Sequence, residues 1–147
     1  MSITGLDVFD ETVHKTNAWL RRLMAIEGWA DRHVAYLALR ATLHALRDRL
    51  TIEEVAQLSA QLPMLVRGIY YEGWDPTGKP VRERSREAFL DRIERELGPG
   101  LPVEPETAAR AVFRLLSERV AEGEIEDVRH ILPADIRELW ADVRVAR

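Results

Sequence analysis

The chain has 147 residues, 46% of them hydrophobic and 31% charged, with a formal net charge of -4 and no cysteine. That length and balance suit one folded domain with a real core and lie far from the disordered regime. The absence of cysteine excludes disulfides, zinc-thiolate sites and thiol nucleophiles, and the negative charge argues against a phosphate-neutralising role on nucleic acid.

Met1 to Asp7 lacks the basic and apolar regions of a signal peptide, and no apolar run approaches the roughly 20 residues that span a bilayer. The expectation is a cytoplasmic protein without a membrane partner.

Glycine and proline divide the chain at Gly28, Pro63, Gly73 to Pro80, Gly98 to Pro105, Gly123 and Pro133. Between them the apolar spacing is helical. A first helix over about 7–27 carries Phe9, Val13, Leu20, Leu23 and Met24 on one stripe and stops at Gly28. A second, over about 31–50, is apolar on two faces, which predicts a central, mostly buried position. Thr51 to Glu54 reads as a capping box that opens a short helix carrying Val55, Leu58 and Leu62. Pro63 starts a fourth helix that runs to about residue 72. After the loop at 73–80 the pattern recurs. Helices are expected through Phe89 to Leu97, from Pro105 to Val120, around Ile125 to Leu132, and from Pro133 through Ile136, Leu139, Trp140 and Val143. No segment reads as a strand, so the expected class is all-α with about eight helices.

The segment 18–70 aligns with 88–140 without a gap. Identical pairs include Arg22/Arg92, Gly28/Gly98, Arg40/Arg110, Arg49/Arg119, Glu54/Glu124, Leu62/Leu132, Pro63/Pro133 and Arg67/Arg137. Shared apolar periodicity does not produce matches of Gly, Pro, Arg and Glu. The reading is one domain over 1–147 built as two copies of a four-helix unit, 7–74 and 80–144, related by a pseudo-twofold axis.

Two repeated polar sets stand out. Arg49 with Glu54, and Arg119 with Glu124, read as ion pairs tying a helix corner. Arg67 and Arg137 each precede a large aromatic, Tyr70 or Trp140, at the spacing that puts both on one helix face. Their structural reading is stacking on the ring or capping of a neighbouring helix end. Their functional reading is a binding surface of Arg67, Tyr70, Trp74, Arg137 and Trp140. Trp29 and Trp74 follow glycines at helix ends, where aromatics are either exposed or packed over the end.

The run Ala41 to Pro63, with Thr51-Ile52-Glu53-Glu54-Val55 and Ala60-Gln61-Leu62-Pro63, then Tyr70 and Trp74, resembles the bacterial domain of unknown function 2267 family. Ala111 to Val120, Gly123-Glu124, Leu132-Pro133 and Leu139-Trp140 resemble that family's C-terminal half. The resemblance implies an all-helical cytoplasmic bacterial protein and supplies no activity or catalytic residues.

Glu11-x-x-His14 and Asp127-x-x-His130 have the spacing of di-iron helices, but one motif has Asp and the internal alignment does not relate them. There is no nucleophile elbow around Ser59, Ser85 or Ser117 and no phosphate loop. The expectation is therefore no catalytic residue, no metal and no cofactor. Thr51 to Glu72 is a poor helix-turn-helix because its second helix opens with proline and has one arginine. The leading expectation is a non-catalytic module acting on a protein partner, a second copy of itself included. The alternative is a small-molecule or anion binder, or an enzyme, using a cleft between the two copies.

Overall fold

The computed structural model describes residues 2–140, and within them every regular element is helical. Helix α1 (Asp7–Glu27) ends at Gly28, whose φ of 72° is the left-handed conformation that a side chain would resist. The N–H groups of Gly28 and Trp29 both return to Met24 O, closing the helix end. Helix α2 (Arg32–Arg47) starts at Asp31, which accepts from His33 N, and most of its residues are buried, in agreement with its two apolar faces. Helix α3 (Ile52–Ser59) is capped by Thr51, and α4 (Met64–Tyr71) follows Pro63 directly. Then come α5 (Arg86–Leu97), capped by Ser85, α6 (Pro105–Arg119), α7 (Glu122–Ile131), α8 (Ala134–Arg137) and a 3-10 turn, Glu138–Trp140. Val143, expected on the last helix, lies outside the described residues, as does residue 144, the expected end of a second unit.

The two helices with the most continuous apolar faces sit at the centre. α2 packs against α6, and both are flanked by α1 and α5. α1 meets α6 as α5 meets α2, and α3 meets α7 directly. The ion pairs follow the same exchange: Arg22 on α1 holds Glu118 on α6 at 2.7 Å, while Arg92 on α5 holds Asp48, just after α2, at 2.9 Å. The largest buried side chains include Trp140, Tyr70, Phe89 and Phe113. Phe113 and Trp140 stack with centroids 3.7 Å apart, and Phe89 lies 6.0 Å from Phe113.

One end of this core is polar. Each helix leaves its last carbonyls without intrahelical partners, and in α4 those carbonyls are turned inward, where water cannot serve them. Side chains of α2 supply the donors. Arg47 Nη1 donates to Tyr70 O and Glu72 O, both at 2.7 Å, and Arg47 Nε donates to Asp48 at 3.2 Å. His44 has Nε2 2.7 Å from Ile69 O and Nδ1 2.6 Å from Glu96 of α5. Burial pushes the Glu96 carboxyl up, but the contacts with His44 and Arg92 outweigh it and hold the group below the usual carboxylate range. The cluster thus bolts α2, α4 and α5 together.

Arg47 is the member whose loss strands the most groups, leaving two carbonyls without this donor and the Asp48 carboxylate with Arg92 alone. Arg47→Met keeps the stem and removes the donors, and should lower the unfolding free energy by about 3 kcal/mol. The check is urea denaturation, with a lower midpoint at unchanged slope; a loss below about 1 kcal/mol would show that the carbonyls find other partners.

Candidate functional site

Arg67 lies on α4 and is half-buried. Its Nε donates to Ser59 O and its Nη2 to Leu62 O, both at 2.9 Å, so the guanidinium closes the C-terminal end of α3. Arg137, its match in the internal alignment, does the same for α7: Nε donates to Arg129 O and Nη2 to Leu132 O, again at 2.9 Å. Of the two structural uses expected for these side chains, helix capping is the one they make, and neither stacks on its aromatic neighbour to do it.

The aromatic partners are interior. Tyr70 is fully buried and its hydroxyl donates to Val55 O at 3.0 Å. Burial, with the charges of Tyr71 and Glu54 nearby, pushes its ionisation well above the usual phenol range. Trp140 is 1% exposed, and its Nε1 donates to Phe113 O and Ser117 Oγ. Trp74 is half-buried, packs on Tyr71 with centroids 5.7 Å apart, and its Nε1 has no partner among the described residues. Trp29 also packs against the core. Arg67, Tyr70 and Trp74 lie together around α4, while Arg137 and Trp140 lie around α7 and α6. Neither set lines the clefts beside α5.

The larger of those clefts, of about 470 Å³, opens where Asp48, Arg49, Glu83, Asp91, Arg92 and Arg95 meet. Its charges are of both signs and partly neutralise one another, as in the Arg92–Asp48 pair. The guanidinium of Arg49 lies 5.1 Å over the Phe89 ring and donates to Ala45 O. Its expected partner, Glu54, is elsewhere.

Glu54 follows the first half of the capping box, its N–H bonding Thr51 Oγ1 at 3.2 Å. Its carboxyl does not complete the box. It points across the α3–α7 contact at Glu124, its match in the internal alignment, with Asp127 one turn further along α7. Ligand oxygens of the three all lie within 4.8 Å of one another. Glu54 is 6% exposed, and Oε2 of both Glu54 and Glu124 is buried without a hydrogen-bond partner among the described residues. Burial raises the Glu54 carboxyl first, and the hydrogen bond and charge of Glu124, then the charge of Asp127, raise it further, to about 8. Sequence reasoning missed this triad because it assigned each Glu to the Arg nearest in sequence. The available signal was that the two acids occupy aligned positions, 54 and 124.

A second feature escaped notice in the sequence. In α1, none of the residues before Thr16 is buried, yet the apolar stripe does not stop there. Leu6, Phe9 and Val13 continue the line of Thr16, Leu20 and Leu23 with the 3-and-4 spacing that packs one helix on another. Leu6 is 52% and Phe9 47% exposed. Leu65 N donates to Thr12 Oγ1 at 2.9 Å, which sets the exposed Met64 and Leu65 of α4 beside this arm.

The fold and these contacts define an all-helical protein braced by buried arginines, with no helix among the described residues long and apolar enough to cross a membrane. Residues 16–139 match the family described as "Uncharacterized conserved protein (DUF2267)", and the chain belongs to that family. No curated protein matches the chain.

The raised Glu54 carboxyl has a stability consequence whose sign is fixed. With a folded value of about 8 against an ordinary 4.5, the folded state holds an extra proton between those limits, so this group's contribution is present at low pH and lost as pH rises toward 8. Glu124 and Asp127 from α7 and the Tyr70 hydroxyl from α4 are the titratable groups around it. In the presence of a chelator, Glu54→Gln should gain thermal stability relative to wild type as pH is raised from acid to mildly alkaline. Parallel melting curves for the two proteins across that range would contradict the assignment.

Proposed function

We propose that this protein is a non-catalytic interaction module that pairs with a second copy of itself through the exposed arm of α1. The observation that carries the reading is the apolar stripe of α1. Its second half is buried in the core, and its first half continues in register with Leu6 and Phe9 exposed and Val13 half-buried among the described residues. Monomeric proteins seldom leave a contiguous apolar helical face bare, and such faces serve as contacts for another helix. A copy of the chain brings the same arm. Two arms crossing about a twofold axis bury both stripes, together with Met64 and Leu65, in a single isologous contact. The polar side of the arm carries both signs, including the Glu11–Lys15 pair at 3.0 Å, so it does not favour a strongly charged partner.

The same reading takes the chain as two copies of a four-helix unit, joined through α2 and α6 and acting in the cytoplasm. Support comes from contacts that recur at aligned positions: Arg67 and Arg137 on matching carbonyls, and Arg92–Asp48 beside Arg22–Glu118. A ligand cleft built on Arg67 and Arg137 has less support, because both guanidiniums already donate to helix ends.

Sedimentation equilibrium of wild type and of Phe9→Asp tests the pairing. Wild type should associate to a dimer at micromolar concentration, and Phe9→Asp should be a monomer. Because Phe9 is exposed in the single chain, the variant should stay folded, with the helical circular dichroism of wild type. A monomeric wild type, or an undiminished dimer in the variant, would overturn the proposal.

A further inference from the structure

We propose that Glu54 of α3 with Glu124 and Asp127 of α7 forms a binding site for one hard divalent cation where the two helices meet. The reading is independent of the dimer, since all three residues belong to one chain. Three observations carry it. The oxygens are already gathered, all within 4.8 Å of one another. Metal–oxygen distances of about 2.0–2.6 Å place oxygens on opposite sides of one ion roughly 4–5 Å apart, so an ion would need little movement of the ligands. Glu54 is 6% exposed, and although its carboxyl reaches Glu124, the Oε2 atom of each residue is buried with no hydrogen-bond partner of its own among the described residues. Buried carboxylate oxygens are ordinarily hydrogen-bonded, ion-paired or metal-bound. Asp127 is exposed, which leaves a side of the cluster open to solvent, through which an ion could arrive and waters could complete its shell.

The chemistry of the donor set selects the ion. Three carboxylates with neither His nor Cys favour magnesium, manganese or calcium over zinc or copper. A doubly charged ion also removes the repulsion between Glu54 and Glu124, which a single shared proton relieves only in part. Neither Glu-x-x-His-type spacing in the chain is needed: Asp127 takes part without His130, whose Nδ1 lies 3.1 Å from Glu126 O.

The test uses Mn²⁺ as the probe. Chelator-treated full-length protein is titrated by calorimetry at mildly alkaline pH, with free Mn²⁺ followed by electron paramagnetic resonance. Wild type should take up one Mn²⁺ per chain and melt at a higher temperature in its presence. Glu54→Gln and Asp127→Asn should each bind at least about tenfold more weakly, since even changes one shell out from a metal cost that much. Glu11→Gln, on the exposed α1 arm, should bind as wild type does. Asp127 is exposed, so its variant keeps the test valid even if Glu54→Gln folds poorly. Failure of wild type to bind Mn²⁺ at millimolar concentration would overturn the proposal and leave a carboxyl pair that holds only a proton. Equal binding by wild type, Glu54→Gln and Asp127→Asn would overturn it as well.

Discussion

A bundle of short helices must satisfy many backbone carbonyls, because each helix leaves its last turn without internal partners. Here α3, α4 and α7 are each only two or three turns long, so helix ends are close together and several are turned inward. Water cannot reach them all. Long side chains from neighbouring elements serve them instead: Arg47 and His44 on the end of α4, Arg67 on the end of α3, Arg137 on the end of α7. Arginine suits this role because its planar fork reaches two carbonyls from one rigid group and stays charged under all ordinary conditions. Corners that would otherwise fray are thereby fixed, and the packing of α2 on α6 follows from corners held in place.

The two halves meet this constraint differently at one point. Where α2 carries His44, Arg47 and Asp48, the aligned positions of the second half are Arg114, Ser117 and Glu118. Ser117 receives the Trp140 indole N–H, and the large ring stacked on Phe113 fills space with apolar surface. On the other side the smaller Tyr70 sits beside a charged lattice extending through Arg47 and Asp48 to Arg92 and Glu96. One end of the core is therefore held by directional polar bonds and the other by stacked aromatic area. The polar end is the more sensitive to loss of a single partner, since a deserted buried charge costs more than a trimmed ring contact.

Helix placement was legible because the cues were local. Apolar spacing, the Gly28 stop, the Thr51 cap and the prolines at 63 and 133 each act over a short stretch of chain, and the centrality of α2 followed from its two apolar faces. Arg67 and Arg137 stand at aligned positions in the sequence, yet the sequence could not choose between a ligand and a helix end as their target, since both offer the same acceptors. Glu54 was misplaced for a different reason. A local corner partner, Arg49, was assumed, whereas the helix it faces belongs to the other half of the chain, and Arg49 turned to Phe89 and a carbonyl. The bare half of α1 was hidden because periodicity reports a stripe and does not report where the core beneath it ends.

Arg67 and Arg137 hold helix ends, so their guanidiniums are already engaged. Equilibrium unfolding of Arg67→Ala, Arg137→Ala and the double variant tests this most directly. Each single change leaves two carbonyls short of a donor and should cost about 1–3 kcal/mol, and because the two arginines share no partner the losses should add within about 0.5 kcal/mol. Variants that unfold at the wild-type midpoint would contradict the account and leave both arginines available for a ligand.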